Sequence, residues 1–211
     1  MNKALIAAAV TALALTTGAA TARASETTFA DCPALPAGAD PAQWRCEVLD
    51  SSATFSFGTV HDLALGPMRL TFAEGQLDGE YAQVFGALRS EPVAVPGPPG
   101  TTLRFGYGGY SDFQSNDERK GEMDLVAEFD APYLPRHCAT GVIHSVLRAD
   151  GPTEVVSTEP LTLRFATYDH ELTVPATEHC GPLGRLVDHR LGLPAAPASY
   201  EQTTTVRLRD Y

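Results

Sequence analysis

Met68-Arg69-Leu70-Thr71-Phe72 places apolar side chains at every second position, with polar ones between them. Successive side chains of an extended chain point to opposite sides, so this period of two marks a strand with one buried face. The pattern recurs in both directions along the sequence. Phe55 and Phe57 flank Ser56; Val93 and Val95 repeat it, as do Leu103, Phe105 and Tyr107. Beyond these, Met123 to Phe129, Val142 to Leu147, Val155-Val156, Leu161 to Phe165, Leu172 to Val174 and Thr203 to Leu208 all read as strands. Turn residues separate them: Asp78-Gly79, Pro96 to Gly100, Lys120-Gly121 and Asp150-Gly151-Pro152. About ten or more strands at this spacing predict an all-β fold, an antiparallel β-sandwich or barrel.

Two short helices are expected beside the strands. Asp40-Pro41 fits an N-cap followed by proline at the first helical position, starting a turn that ends near Trp44 under the first disulfide. Pro182 to Leu191 places Leu183, Leu186, Val187 and Leu191 on one helical face, with Gly192 and Pro194 to end it. The composition agrees with a packed β domain. Among 211 residues, 44% are hydrophobic, which excludes a disordered chain, and 19% are charged, too few for a coiled coil.

The chain divides into a leader over 1–24, a Pro/Ala-rich lead-in over 25–45 and a β domain over 46–211. Lys3, the apolar run from Ala4 to Leu15 and the small residues Ala22 and Ala24 around Arg23 form the pattern of a secretory signal peptide. Cleavage is expected after Ala24, with a second acceptable site after Ala22. Val206 to Tyr211 has no hydrophobic tail, so the mature chain is expected to be secreted and released, with no membrane anchor. Within the β domain, Pro67 to Ala73 lines up with Pro160 to Ala166. Two related half-sandwiches meeting near 115–121 would account for that, although convergence of amphipathic strands after a proline is the simpler explanation.

The formal charge is −11, and cleavage after Ala24 removes Lys3 and Arg23 but no acid. Such acidity repels nucleic acid and anionic lipid at long range. Lys120 is the only lysine after the leader; beside plentiful arginines it reads as the mark of a GC-rich genome rather than as chemistry. The four cysteines, Cys32, Cys46, Cys138 and Cys180, all follow the leader, and an even count in an exported chain reads as two disulfides. Three pairings exist. Loop closure favours Cys32 with Cys46 and Cys138 with Cys180.

No motif assigns catalytic residues, a metal or a cofactor. A G-x-S-x-G elbow and an H-E-x-x-H pair are both missing, as is a G-x-G-x-x-G turn between strand and helix. A glycosidase needs only two carboxylates from distant strands, which spacing alone does not reveal. The oxygen-rich loop from Asp112 to Glu118 fails as an EF-hand, because Asp117 stands where glycine is needed and Met123 where glutamate is needed. His137-Cys138 and His179-Cys180 bring two histidines beside one disulfide. With the cysteines directly opposed, the imidazoles lie on a diagonal about 7–8 Å apart at Cβ, a poor start for a shared metal. Tyr107-Gly108-Gly109-Tyr110 with Asp112 is the candidate ligand-binding face. Two tyrosines on one side of a glycine bulge would offer ring faces and a carboxylate to a sugar or peptide.

Three stretches, Cys32 to Val48, Tyr107 to Asp124 and Leu172 to Ala195, resemble an exported protein family of high-GC Gram-positive bacteria. With the leader, the resemblance spans nearly the whole chain. It implies pairing of Cys138 with Cys180, and no activity comes with it. The sequence therefore predicts a non-enzymatic binding or envelope-associated domain, whose partner is a cell-envelope component or an extracellular ligand. An extracellular hydrolase is the alternative.

Overall fold

The alternating segments assemble into one antiparallel sheet of thirteen strands in a computed structural model that describes residues 28–211. The expected signal peptide lies outside the described residues. The strands are β1 (Trp44–Phe57), β2 (Val60–Ala64), β3 (Met68–Leu77), β4 (Glu80–Ser90), β5 (Val93–Ala94), β6 (Thr102–Asp112) and β7 (Arg119–Asp130). They continue with β8 (Ala139–Thr140), β9 (Ile143–Ala149), β10 (Glu154–Thr158), β11 (Leu161–Val174), β12 (Thr177–Glu178) and β13 (Ala195–Asp210). The main path runs β12-β8-β7-β9-β11-β13-β1-β3-β4, with β6 on the other side of β7. Residues 31–211 form one compact unit, distinct from the segment before Asp31. No helix among the described residues is long and apolar enough to cross a membrane.

This sheet is bent over a single core in the manner of a sandwich, without closing into a barrel. β4, the last strand of the path, and β6 on the far side of β7 meet through side chains instead of a ladder. Phe85 stacks on Tyr107 at 3.8 Å between ring centroids, and the Phe113 amide donates to Gln83 Oε1 at 2.9 Å. Inside the bend, Phe55 packs edge-on against Phe105 and Tyr200, and Phe72 stacks on Phe113.

One end of the bend is plugged. A 3-10 turn, Gly181–Leu183, leads into the only α-helix among the described elements, α1 (Gly184–Leu191), which Gly192 ends in the left-handed conformation. Val187 and Leu191 are buried, and the β1–β2 turn is tied to the helix end by Thr59, whose amide and hydroxyl donate to the carbonyls of Leu191 and Arg190. Leu186, expected on the same buried face, is instead 51% exposed. A helix this short buries only a narrow stripe, and Leu186 falls beside it.

Both disulfides take the pairing that loop closure favours, Cys32–Cys46 and Cys138–Cys180. Their presence fits an oxidising compartment. The first clamps the lead-in to the outer face of β1, where Val48, Thr71 and Ala73 are buried. Arg89 holds Asp31 through two hydrogen bonds of 2.6 Å, and the Tyr211 hydroxyl donates to the Pro33 carbonyl. Asp40 caps the turn Pro41–Gln43 as expected. No free cysteine remains. Protein purified without reductant should therefore show no reaction with a thiol reagent after denaturation; a reactive thiol contradicts the pairing.

Two local expectations are corrected. Lys120-Gly121 is not a turn but part of β7. The β6–β7 hairpin turns earlier, at Asn116, whose side-chain oxygen accepts from the amides of Glu118 and Arg119. Nor do Cys138 and Cys180 stand directly opposite in a ladder. Ala139 faces Glu178, one residue out of that register. The ladder is two residues long, and His137 and His179 both take positive φ, so its register is not carried into the disulfide. The matching stretches Pro67 to Ala73 and Pro160 to Ala166 lie in β3 and β11, on either side of the central pair β1–β13. Residues 115–121 hold the β6–β7 turn and the start of β7, inside the one unit.

Candidate functional site

The end of the bend opposite α1 is open. There the upper turns of β1, β3, β11 and β13 and the β6–β7 hairpin surround a cavity of about 340 Å³. One wall is apolar: Leu49, Phe72, Leu163, Phe165 and Val206 are turned inward by strand alternation, and Phe113 joins them from the β6–β7 hairpin. The cavity narrows toward a small interior pocket of about 40 Å³ that reaches Met123, Ser145 and Gln202. Leu49, Phe113, Lys120 and Phe165 line both spaces and mark the neck between them, with Lys120 the one charged group there.

Charged groups occupy the rim because β1 and β3 run antiparallel, which brings the inward positions at the start of one strand beside those at the end of the other. Arg45 pairs with Glu74 in register, and Glu47 pairs with Phe72. The Arg45 guanidinium donates to Glu74 Oε1 at 2.8 Å and reaches Glu47 Oε1 at 2.9 Å. Tyr81 donates to Glu74 Oε2 at 2.6 Å, and Gln83 adds a longer bond to the same oxygen. Glu47 and Glu74 thus lie against the same Arg45 nitrogen, two carboxyl groups on one cation, which sets their charges against each other.

The two acids are driven apart. Burial, followed by repulsion from Glu74, pushes Glu47 up to about 8. Burial acts on Glu74 in the same direction, but the Tyr81 hydroxyl and the Arg45 charge outweigh it and hold Glu74 below the usual glutamate range. At neutral pH Glu47 is the proton donor and Glu74 the carboxylate. Burial and the neighbouring carboxylate push the Tyr81 phenol upward, so Tyr81 stays protonated as a donor.

The face expected from Tyr107, Tyr110 and Asp112 is not assembled as one site. A bulge does form, with the register of β6 on β7 slipping between Tyr107 and Ser111 and Gly109 at φ 112°. It leaves the two rings on opposite faces of the sheet. Tyr107 lies inside, stacked on Phe85. Tyr110 lies outside, exposed, with its hydroxyl donating to Glu122 at 2.7 Å. Asp112 accepts from the Gln114 amide and from Arg119, and these partners, against the effect of burial, hold its carboxyl below the ordinary aspartate range. Each of the three is engaged within the chain.

A second cavity, about 380 Å³, lies beside the Cys138–Cys180 bond, lined by Arg104, Glu128 and His137 among others. Arg104 and Glu128 neutralise each other there at 2.7 Å. No group of three or more His, Cys, Asp or Glu residues gathers as a metal site among the described residues.

Sequence reasoning missed Arg45, Glu47, Glu74, Tyr81 and Lys120. The available signal was phase. Glu47 falls in step with Phe55 and Phe57, and Glu74 falls in step with Met68, Leu70 and Phe72, so both are charged residues at inward positions.

The fold and this site define an all-β domain bent around a core that is plugged at one end and hollow at the other. No protein-family model matches the chain, no curated protein matches it, and no solved structure matches it.

Proposed function

We propose that this is a secreted, non-enzymatic binding protein that holds a small ligand with an apolar body in the open end of its bent sheet. The observation that carries the reading is the cavity of about 340 Å³, in which aliphatic and aromatic residues that continue the core face the Arg45–Glu47–Glu74 cluster and the hairpin residue Lys120. Ligand sites likewise combine an apolar wall with placed polar groups that fix orientation. The leader-like segment and the two disulfides support export.

The test is displacement of the neutral fluorophore N-phenyl-1-naphthylamine by straight-chain alcohols of increasing length. Affinity should rise about fourfold per added methylene until the cavity is filled, the increment expected for burying one CH₂. Leu163→Asp, with folding checked by circular dichroism, should remove the binding. Absence of saturable probe binding to the folded native protein would overturn the reading.

A second reading, an extracellular hydrolase, is favoured by the same Glu47–Glu74 pair, since two carboxyls in different protonation states can divide acid and base roles. Against it, Arg45, Tyr81 and Gln83 already occupy the Glu74 carboxylate. The two carboxyls also share Arg45 Nε, at 2.8 Å from Glu74 and 2.9 Å from Glu47, so a cation of the chain itself lies where a glycosidase needs its substrate.

A further inference from the structure

We infer that the ligand of the open end is an anionic amphiphile, a straight-chain monocarboxylate, whose headgroup is held by the Lys120 ammonium at the neck of the cavity. This rests on the binding reading above and adds the chemistry of the headgroup. Of the charged groups in the lining, Arg45, Glu47 and Glu74 satisfy one another. Lys120 is different. Its Nζ donates to the Asn116 carbonyl at 2.9 Å and makes no ion pair among the described residues.

An ammonium carries three donors. A single neutral acceptor from the protein leaves the other donors and the charge to water or to an anion, and a carboxylate displaces the water with both acceptors and opposite charge. The backbone explains how the side chain gets there. Between Arg119 and Gly121 the register of β7 on β9 slips, which frees Lys120 from strict alternation and lets it reach two inward spaces. A carboxylate bound at this neck leaves its alkyl chain against Phe113, Phe165 and Leu163. A cation at the headgroup position would meet Lys120 and Arg45 and be repelled. The overall charge of −11 disfavours the approach of anions, so an anion bound here is selected by the local ammonium and not by the field of the whole protein.

The experiment compares dodecanoate, dodecanol and dodecylamine as displacers of N-phenyl-1-naphthylamine at pH 7.4 and 0.15 M salt, where long-range repulsion is screened. Dodecanoate should bind at least tenfold more tightly than dodecanol, and dodecylamine more weakly than either. Lys120→Met should bring dodecanoate down to the level of dodecanol and leave dodecanol unchanged; Lys120→Arg should keep most of the preference. Lys120 is the sole lysine after residue 24, so reductive ¹³C-dimethylation gives one side-chain amine signal beyond the chain terminus, and dodecanoate but not dodecanol should shift it. Equal binding of dodecanoate and dodecanol overturns the headgroup assignment and leaves the apolar-ligand reading standing. A preference that survives Lys120→Met removes Lys120 from the site. Failure of all three compounds to displace the probe, or of the probe to bind, overturns the underlying reading itself.

Discussion

Glu47→Gln should raise the melting temperature at pH 8 and flatten the fall of stability that the native protein shows between about pH 5 and pH 8. The native Glu47 carboxyl is pushed up to about 8, against an ordinary value of 4.5. Between those values the folded chain keeps a proton that the unfolded chain releases. Stability therefore decreases as pH rises through the window and levels off above it. At about 1.4 kcal/mol per unit, and with a discount for the rim's partial exposure, the loss is of the order of 3 kcal/mol. Glu74 acts in the opposite sense. Its value lies below the ordinary one, so its contribution is present above about pH 4.5 and is lost as the solution becomes more acidic. Together the two place the stability maximum on the weakly acidic side. Glutamine fills the same space, donates to Glu74 through its amide and cannot ionise. Chemical denaturation of both proteins at pH 5, 6, 7 and 8 decides the matter; parallel pH profiles for native and variant would contradict a Glu47 carboxyl held protonated in the fold.

Trp44→Ala should cost about 3–5 kcal/mol, the usual range for emptying a buried aromatic site, and lower the melting temperature by roughly 10 °C. Trp44 is 2% exposed, and its indole nitrogen donates to the Gln76 carbonyl at 2.9 Å. The ring lies directly over Gly75. A methyl group there would come within 2.6 Å of the indole, so no other residue permits this packing. The side chain anchors the start of β1 on the outer face, next to the Cys46 clamp and behind the strand that carries Arg45 and Glu47. Gly75→Ala tests the same contact from the other side and should destabilise in the same direction, with the indole forced outward. A loss below about 1 kcal/mol for Trp44→Ala would mean that the disulfide alone holds this end of the sheet.

The strands that could be read in advance are those with one fully buried face. In β7, Gly121, Met123, Leu125, Ala127 and Phe129 are buried in strict alternation, and the sequence shows it. β4 was not legible, because it meets β6 through side chains only; none of its residues is fully buried, and its register on β3 slips at Thr71-Phe72. β11 reads as two separate strands because the slip between Asp169 and Leu172 breaks the period without breaking the strand. The tyrosine face was legible as composition and as a bulge, but not as geometry. Whether a bulge brings two side chains to one face depends on how many residues it inserts, and here the rings are left on opposite faces. Glu47 and Glu74 are each unremarkable in the sequence. Their chemistry arises only when antiparallel pairing sets the two strand ends side by side.

The position of β13 has a consequence for the order of events in synthesis. This last strand of the thirteen lies between β1 and β11, pairing with β1 from Arg45 opposite Asp210 to Ser56 opposite Ser199. A chain made from its amino end therefore holds β1 and β11 with open edges until residues 195–210 emerge, and open edges invite pairing with other chains. All four cysteines precede that strand. Oxidation can join Cys32 to Cys46 and Cys138 to Cys180 while the centre of the sheet is still unpaired. Each bond closes a loop of the still-unpaired chain and so reduces the conformations left to search before the final strand is seated.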